Sequence, residues 1–335
     1  MTPKRIVKRK IIKQGHNTLT LTIPSSWAKR FHLKAGDEID LIEQGKSLLM
    51  STEKSKTPTS TIIDLKGTPL IYLWRSIISA YRAGYDEITV RFQNPKSKKK
   101  AVYTGFGYDN LQHLLKKGTV ELNHIEAIQA LVNRLIGVEI IDQHEHYCII
   151  REMGETTYKE FDNALRRIFL LLLNMADECF EGYTKNKKEP LKQIHLIDTN
   201  LDRFEDFCLR VLNKKGYREY RKTQIMYTIL FLLELVGDEY KKLALHFLEF
   251  DEKPHPFMTQ EFDIQKQQLR RLYELFYDFK KEKAIEIYMA DKKGDVFLNQ
   301  NYHKFSDPGK EVIHHFKKIG VYVLSLTELR IDLEA

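Results

Sequence analysis

Glu234-Leu235-Val236-Gly237-Asp238 recurs 94 residues on as Glu328-Leu329-Arg330-Ile331-Asp332, and the pair Asp198, Asp202 recurs 93 residues on as Asp291, Asp295. Leu165-Arg166-Arg167-Ile168 is echoed by Leu269-Arg270-Arg271-Leu272 at an offset of 104, and the extra length fits a longer first connection around Lys185–Glu189. Self-similarity on this scale predicts one helical unit used twice. Phe161, Leu165, Ile168, Leu172 and Met175 fall at helical spacing, so a pair of three-helix bundles is the simplest architecture. Further helices are predicted over Leu191–Leu212, Tyr217–Phe250 and Phe262–Ala290, with two more beyond Asp307, the last ending near Leu333. Residues four apart share a helix face. Two such acidic pairs on neighbouring helices repel each other and invite a hard cation between them. Asp291 and Asp295 flank Gly294 and are expected past a helix end.

At the other end of the chain the charge is one-sided. The first 36 residues hold no acid but hold Lys4, Arg5, Lys8, Arg9, Lys10, Lys13, Lys29, Arg30 and Lys34. Through Thr52 there are ten basic and four acidic residues, so this short segment carries +6 of the chain's formal +8. A phosphate lattice suits such a segment, because each neutralised phosphate releases a condensed counterion. Asn17–Ile23 alternates, with Leu19, Leu21 and Ile23 on one face and Thr18, Thr20 and Thr22 on the other, which predicts a strand. Pro24 ends it, and Ser25 or Ser26 is placed to cap a short helix through Trp27, Ala28 and Phe31. Gly36-Asp37-Glu38-Ile39 then turns the chain into a hairpin, Glu38–Ile42 and Ser47–Ser51, around Gly45-Lys46. Some fifty residues with so few core positions are expected to dimerise.

Between these ends, Ser51–Ser60 reads as a polar linker, and 61–151 reads as mixed α/β. Strands are predicted at Thr61–Leu65, Glu87–Phe92, Val138–Asp142 and Tyr147–Arg151, with helices at Pro69–Ala83 and His124–Leu135. Lys96-Ser97-Lys98-Lys99-Lys100 reads as a solvated loop. The fold class is therefore α+β, in three domains: 1–52, 61–151 and 155–335. Cys148, Cys179 and Cys208 are three, with no CxxC, which argues against a disulfide framework or a thiolate zinc site. No apolar run reaches the roughly 20 residues of a membrane span, and the basic N-terminus lacks an apolar signal core, so a cytoplasmic protein without membrane insertion is expected. Glu121-Leu122-Asn123-His124 is a single ExxH, whereas a di-iron bundle needs two. With no phosphate-cradling glycine loop or nucleophile motif, no enzyme is expected.

Lys10-Ile11-Ile12-Lys13-Gln14-Gly15-His16-Asn17, Leu21-Thr22-Ile23-Pro24-Ser25-Ser26-Trp27 and Leu33-Lys34-Ala35-Gly36-Asp37-Glu38-Ile39 together resemble the AbrB/MazE/SpoVT family over about fifty residues. That resemblance implies a swapped-hairpin homodimer that binds double-stranded DNA through basic residues on its early strand and loops. Lys8, Arg9, Lys10 and Lys13 would contact phosphates, and His16 and Asn17 would approach base edges.

The helical half resembles PhoU, the phosphate-signalling family of paired three-helix bundles, through Glu234-Leu235-Val236-Gly237-Asp238 and, less closely, Glu328-Leu329-Arg330-Ile331-Asp332. The family's usual Glu-Arg start is Glu234-Leu235 and Glu328-Leu329 here. The resemblance implies a transition-metal ion, iron or zinc, at Asp198, Asp202, Glu234 and Asp238, with Glu328 and Asp332 as the repeat's counterpart. The resemblance to an archaeal-type fusion of the two modules covers most of the chain. The function implied is a DNA-binding transcriptional regulator linked to phosphate signalling or uptake. Its rival is a metal-binding adaptor for a phosphate transporter component or a toxin-like partner, with the N-terminal module serving dimerisation alone.

Overall fold

The computed structural model describes residues 8–44, 47–51, 58–68, 70–92, 99–100, 121–154, 157–249 and 252–335. Lys4 and Arg5, the Gly45-Lys46 hairpin tip, most of the linker and 96–98 of the lysine run lie outside the described residues. Met1–Thr59 and Ser60–Ala335 are two compact units.

In the first unit, β1 (Ile11–Gln14) and β2 (Thr18–Leu21) pair antiparallel, with Ile11 opposite Leu21 and Gln14 opposite Thr18. Gly15 takes φ +71° in the turn between them, a left-handed conformation that costs glycine little. The helix α1 (Ser25–Arg30) starts one residue earlier than a serine cap requires. Pro24 is its N-cap with no side-chain bond, and the Pro24 carbonyl accepts from the Trp27 and Ala28 amides at 2.9 and 3.0 Å. The Lys34 amide donates to the Asp37 carboxylate at 2.8 Å, closing the turn that leads to β3 (Asp40–Gln44), which pairs antiparallel with β4 (Ser47–Ser51). No described side chain of this unit is buried. Ile11 and Leu19 are 67% and 68% exposed, so apolar strand surface faces solvent in the single chain.

The second unit opens with a four-stranded sheet. β5 (Ser60–Asp64) and β6 (Glu87–Arg91) run parallel, joined by the crossover helix α2 (Leu70–Arg82). A two-residue ladder, β7 (Lys99–Lys100) with β8 (Glu121–Leu122), precedes α3 (His124–Val132), whose Asn123 and Glu126 form a reciprocal capping box. β9 (Val138–Gln143) and β10 (Tyr147–Glu152) complete the sheet in the order β5-β6-β10-β9, with β10 antiparallel to both neighbours. Leu73, Ile77 and Tyr81 of α2, Ile128 and Leu131 of α3, and the alternating Ile88, Val90, Cys148 and Ile150 of the strands form one core. The alternation is that of a sheet covered on one face.

Six long helices follow: α4 (Tyr158–Thr184), α5 (Lys188–Lys215), α6 (Thr223–Glu249), α7 (Pro256–Tyr277), α8 (Lys281–Asn301) and α9 (Asp307–Asp332). α4, α5 and α6 pack mutually, as do α7, α8 and α9, while α6 against α9 and α4 against α7 join the two bundles through one continuous core. Phe161, Leu165, Ile168, Leu172 and Met175 are all buried there, as their spacing predicts.

Several boundaries differ from expectation: α6 starts at Thr223 rather than Tyr217, and α7 at Pro256 rather than Phe262. Phe262–Ala290 is two helices, because the chain breaks at Asp278, where Lys283 Nζ donates to the Glu274 and Asp278 carbonyls and closes the end of α7. Beyond Asp307 there is a single helix, with Ser306 as its cap. Asp291 and Asp295, expected past a helix end, lie within α8. Among the described residues no helix is long and apolar enough to cross a membrane.

Candidate functional site

Lys8, Arg9 and Lys10 lead into β1, Lys13 stands on it, and His16 and Asn17 form the turn that follows; all six are exposed. The register puts Ile11, Lys13, Leu19 and Leu21 on one face of the hairpin and Ile12, Gln14, Thr18 and Thr20 on the other. Basic groups therefore crown a hairpin whose apolar side chains lack an interior.

The first bundle gathers its carboxylates as the i,i+4 reading requires. Asp198, Asp202 and Asp206 follow one another on α5 with Glu205 beside them, and Glu234 and Asp238 come from α6. Cations of this chain already stand among them. Lys241 Nζ lies 2.9 Å from Asp198 and 2.6 Å from Asp238. Arg134, from the turn between α3 and β9, lies 3.1 Å from Asp202. Arg82, at the end of α2, is 2.6 Å from Glu205 and also pairs with Asp206. Burial pushes the Asp198, Asp202, Glu205 and Asp206 carboxyls up, and the arginines and Lys241 oppose it. Glu234 is pushed up to about 7 by burial and by its neighbour Asp238.

These residues do not fit iron or zinc as arranged. Among the described residues no group of three or more His, Cys, Asp or Glu is placed to hold a metal ion, and Lys241 and Arg134 stand where a metal would compensate the charge. The cluster's chemistry is internal ion pairing that ties the sheet layer to the bundle. Arg210, fully buried, extends the seam by donating to the carbonyls of Tyr81 at 2.7 Å and Tyr85 at 2.9 Å. Lys214 adds ion pairs to Asp86 and Glu152.

Glu328 and Asp332 do not join the repeat. Both are exposed near the end of α9, and the group they act on is Tyr288, raised by burial and then by their charge. Glu234 sits 11 residues past the start of α6, whereas Glu328 sits 21 past the start of α9. At 1.5 Å per residue the letters of the repeat are about 15 Å out of structural register. Asp291 and Asp295 instead line a cavity with Glu261 and Gln265 of α7. Those two were missed by the repeat, yet Met258, Glu261, Phe262, Gln265, Leu269 and Leu272 follow one helical stripe, and its two polar members are the signal. His124 of the lone ExxH is buried and stacks on Phe92 with ring centroids 5.8 Å apart. All three cysteines are free and buried.

Residues 12–58 match the family model described as MazE_antitoxin, antidote-toxin recognition MazE, bacterial antitoxin, so this segment is a MazE/AbrB-type domain. Among solved structures, the chain is similar to the phosphate transport system regulatory protein PhoU from Streptococcus pneumoniae at 19% identity and a TM-score of 0.45, over 53% of this chain and 94% of that one. It is similar to PhoU from Pseudomonas aeruginosa at 16% identity and a TM-score of 0.48, over 53% of this chain and 96% of that one. No curated protein matches the chain.

Proposed function

We propose that this chain is a dimeric DNA-binding regulator whose helical unit connects it to phosphate signalling. The observation that carries the DNA reading is the MazE/AbrB-type segment, with Lys8, Arg9, Lys10 and Lys13 exposed around a hairpin and no acid in the first 36 residues. A basic surface of this kind neutralises phosphates and releases counterions, while the His16-Asn17 turn is short enough to approach base edges. Dimerisation is supported by the exposed Ile11, Ile12, Leu19 and Leu21, which a second copy's hairpin would bury. The link to phosphate signalling rests on the acidic motifs Asp198, Asp202, Glu234 and Asp238, which resemble those of the PhoU family.

A second reading is favoured by the description of the matched family, which names toxin recognition: the same hairpin would then engage a protein partner, and the chain would act as an adaptor. Titration of full-length protein against duplex DNA over a salt series separates the two. Each phosphate contact contributes about −0.9 to the slope of log K against log salt. Arg9→Ala with Lys10→Ala should flatten that slope by up to about 2 and weaken all duplexes alike, whereas Asn17→Ala should blur discrimination between sequences. Wild-type protein that binds no duplex in a salt-dependent way sinks the DNA reading and leaves the adaptor.

A further inference from the structure

We propose that a pocket where the sheet layer meets the first bundle binds a small organic anion with a flat apolar body, its carboxylate or phosphate held by Arg167. The inference is independent of the DNA reading. The pocket measures about 460 Å³, within the roughly 300–1,000 Å³ of small-molecule sites. Four stretches of chain line it: the turn between α3 and β9, the turn after β10, one face of α4, and α5.

Much of its surface is apolar. Phe204 and Phe207 of α5 meet Ala164 of α4 and Ile136 of the α3–β9 turn around this space, and Phe207 is only 4% exposed. Two aromatic rings offer a flat ligand contact area with no polar group to satisfy. Gly137 and Gly154 add bare backbone to the lining, where a methyl on either would meet nothing within 4 Å.

Two polar side chains on this surface are unspent. Asn163 and Arg167 are four apart on α4, share a face, and are both exposed. Among the described residues neither has an ion pair or hydrogen bond. The neighbouring arginines are committed elsewhere: Arg166 lies over the Tyr277 ring, Arg134 pairs with Asp202, and Arg203 Nε donates to the Arg134 carbonyl at 3.0 Å. Arg167 is thus a cation without a counter-charge at the edge of an aromatic pocket, and its planar guanidinium matches a carboxylate or phosphate with two parallel hydrogen bonds. Asn163 can add an amide donor one turn away. Glu160, the acid of the lining, is seven residues from Arg167, about 10 Å along the helix. Its carboxylate already accepts from the Thr157 amide at 2.7 Å as part of the helix cap. The anion therefore belongs at the Arg167 end.

The pocket also adjoins the joint between the layers. Ile136 lies two residues past Arg134, which pairs with Asp202, and Phe207 directly follows Glu205 and Asp206, which hold Arg82. A ligand touching both Ile136 and Phe207 adds contacts across that seam, so binding should stabilise sheet layer and bundle together.

Calorimetric titration of the full-length protein with naphthoate, naphthyl phosphate and the neutral naphthalenemethanol tests the site. One anion per chain is expected, with the neutral alcohol weaker by about tenfold or more, as loss of a charged hydrogen-bond pair requires. The tighter of the two anions assigns the natural head group as carboxylate or phosphate. Arg167→Gln should weaken both anions by about tenfold or more and leave the alcohol nearly unchanged. Arg166→Gln, next in sequence but turned to Tyr277, should leave all three unchanged. Asn163→Trp, at an exposed position, should fill the mouth and exclude all three. Melting temperature gives a second readout: the tighter anion should raise it in wild type and not in Arg167→Gln. Absence of saturable anion binding to folded wild type overturns the proposal, as does equal affinity for the alcohol or for inorganic phosphate alone. Equal losses from Arg166→Gln and Arg167→Gln would overturn it too.

Discussion

In the first bundle Asp198, Asp202, Glu205 and Asp206 meet Lys241, Arg134 and Arg82; in the second, Glu261, Asp291 and Asp295 surround a cavity with Lys317 at its edge. The two bundles share a three-helix plan and a habit of burying carboxylates, and they differ in where the compensating charge comes from. Arg82 and Arg134 belong to the sheet layer, so in the first bundle the charge balance is also the joint between layers. An ion pair of this kind is retained less for net stability than because removing one partner strands the other. Among the described residues the acids of the second bundle pair with no arginine of the sheet layer; Lys317 is the cation beside Asp295.

That contrast breaks most sharply at Arg82. Replacing it with alanine strands Glu205 and Asp206, both nearly inaccessible, and should cost about 3–5 kcal/mol in urea unfolding. A loss under about 1 kcal/mol would mean the sheet layer is not held through this joint.

A smaller effect separates two glutamates on α6. Glu234 has its folded value raised from 4.5 to about 7, so its contribution is full below pH 4.5 and is lost as pH rises through 7. Glu239 is pushed up by burial, yet hydrogen bonds with His315 and Lys242 outweigh that and hold it at about 2. Its contribution is full above pH 4.5 and lost as pH falls through 2. Glu234→Gln should therefore stabilise the protein at pH 8, and Glu239→Gln should destabilise it at pH 7, each by at most about 3 kcal/mol. Denaturation curves that move in the same direction for both variants would refute the assignment. The smallest effect is expected from Glu328→Ala with Asp332→Ala. Exposed on α9, they should change stability by no more than about 0.5 kcal/mol; a large change would mean that they join the bundle's charge balance.

Periodicity read well wherever a face was apolar: the strand through Thr18–Leu21, the stripe from Phe161 to Met175, and the strand-helix-strand order of β5, α2 and β6 follow from local pattern, while the pairing of β1 with β2 and the parallel direction of β5 and β6 are decided by the fold. It failed where pattern and position part company. The Glu-Leu repeat matched letters 94 residues apart, but α6 and α9 begin at different points relative to them, and register along a helix is decided by what packs beside it. The break at Asp278 was invisible because a lysine five residues on supplies the cap.

The chain's charge asymmetry, its strand alternation, its helical stripes and its acidic pairs are properties of order along one dimension, and the sequence by itself determined them. Which acids meet a cation was decided by tertiary structure. Arg82 lies more than 120 residues from Glu205, and Glu261 lies 30 from Asp291, distances over which no local rule acts. Only close packing of helices and sheet brings a desolvated carboxylate next to an arginine in one bundle and next to a glycine and a cavity in the other.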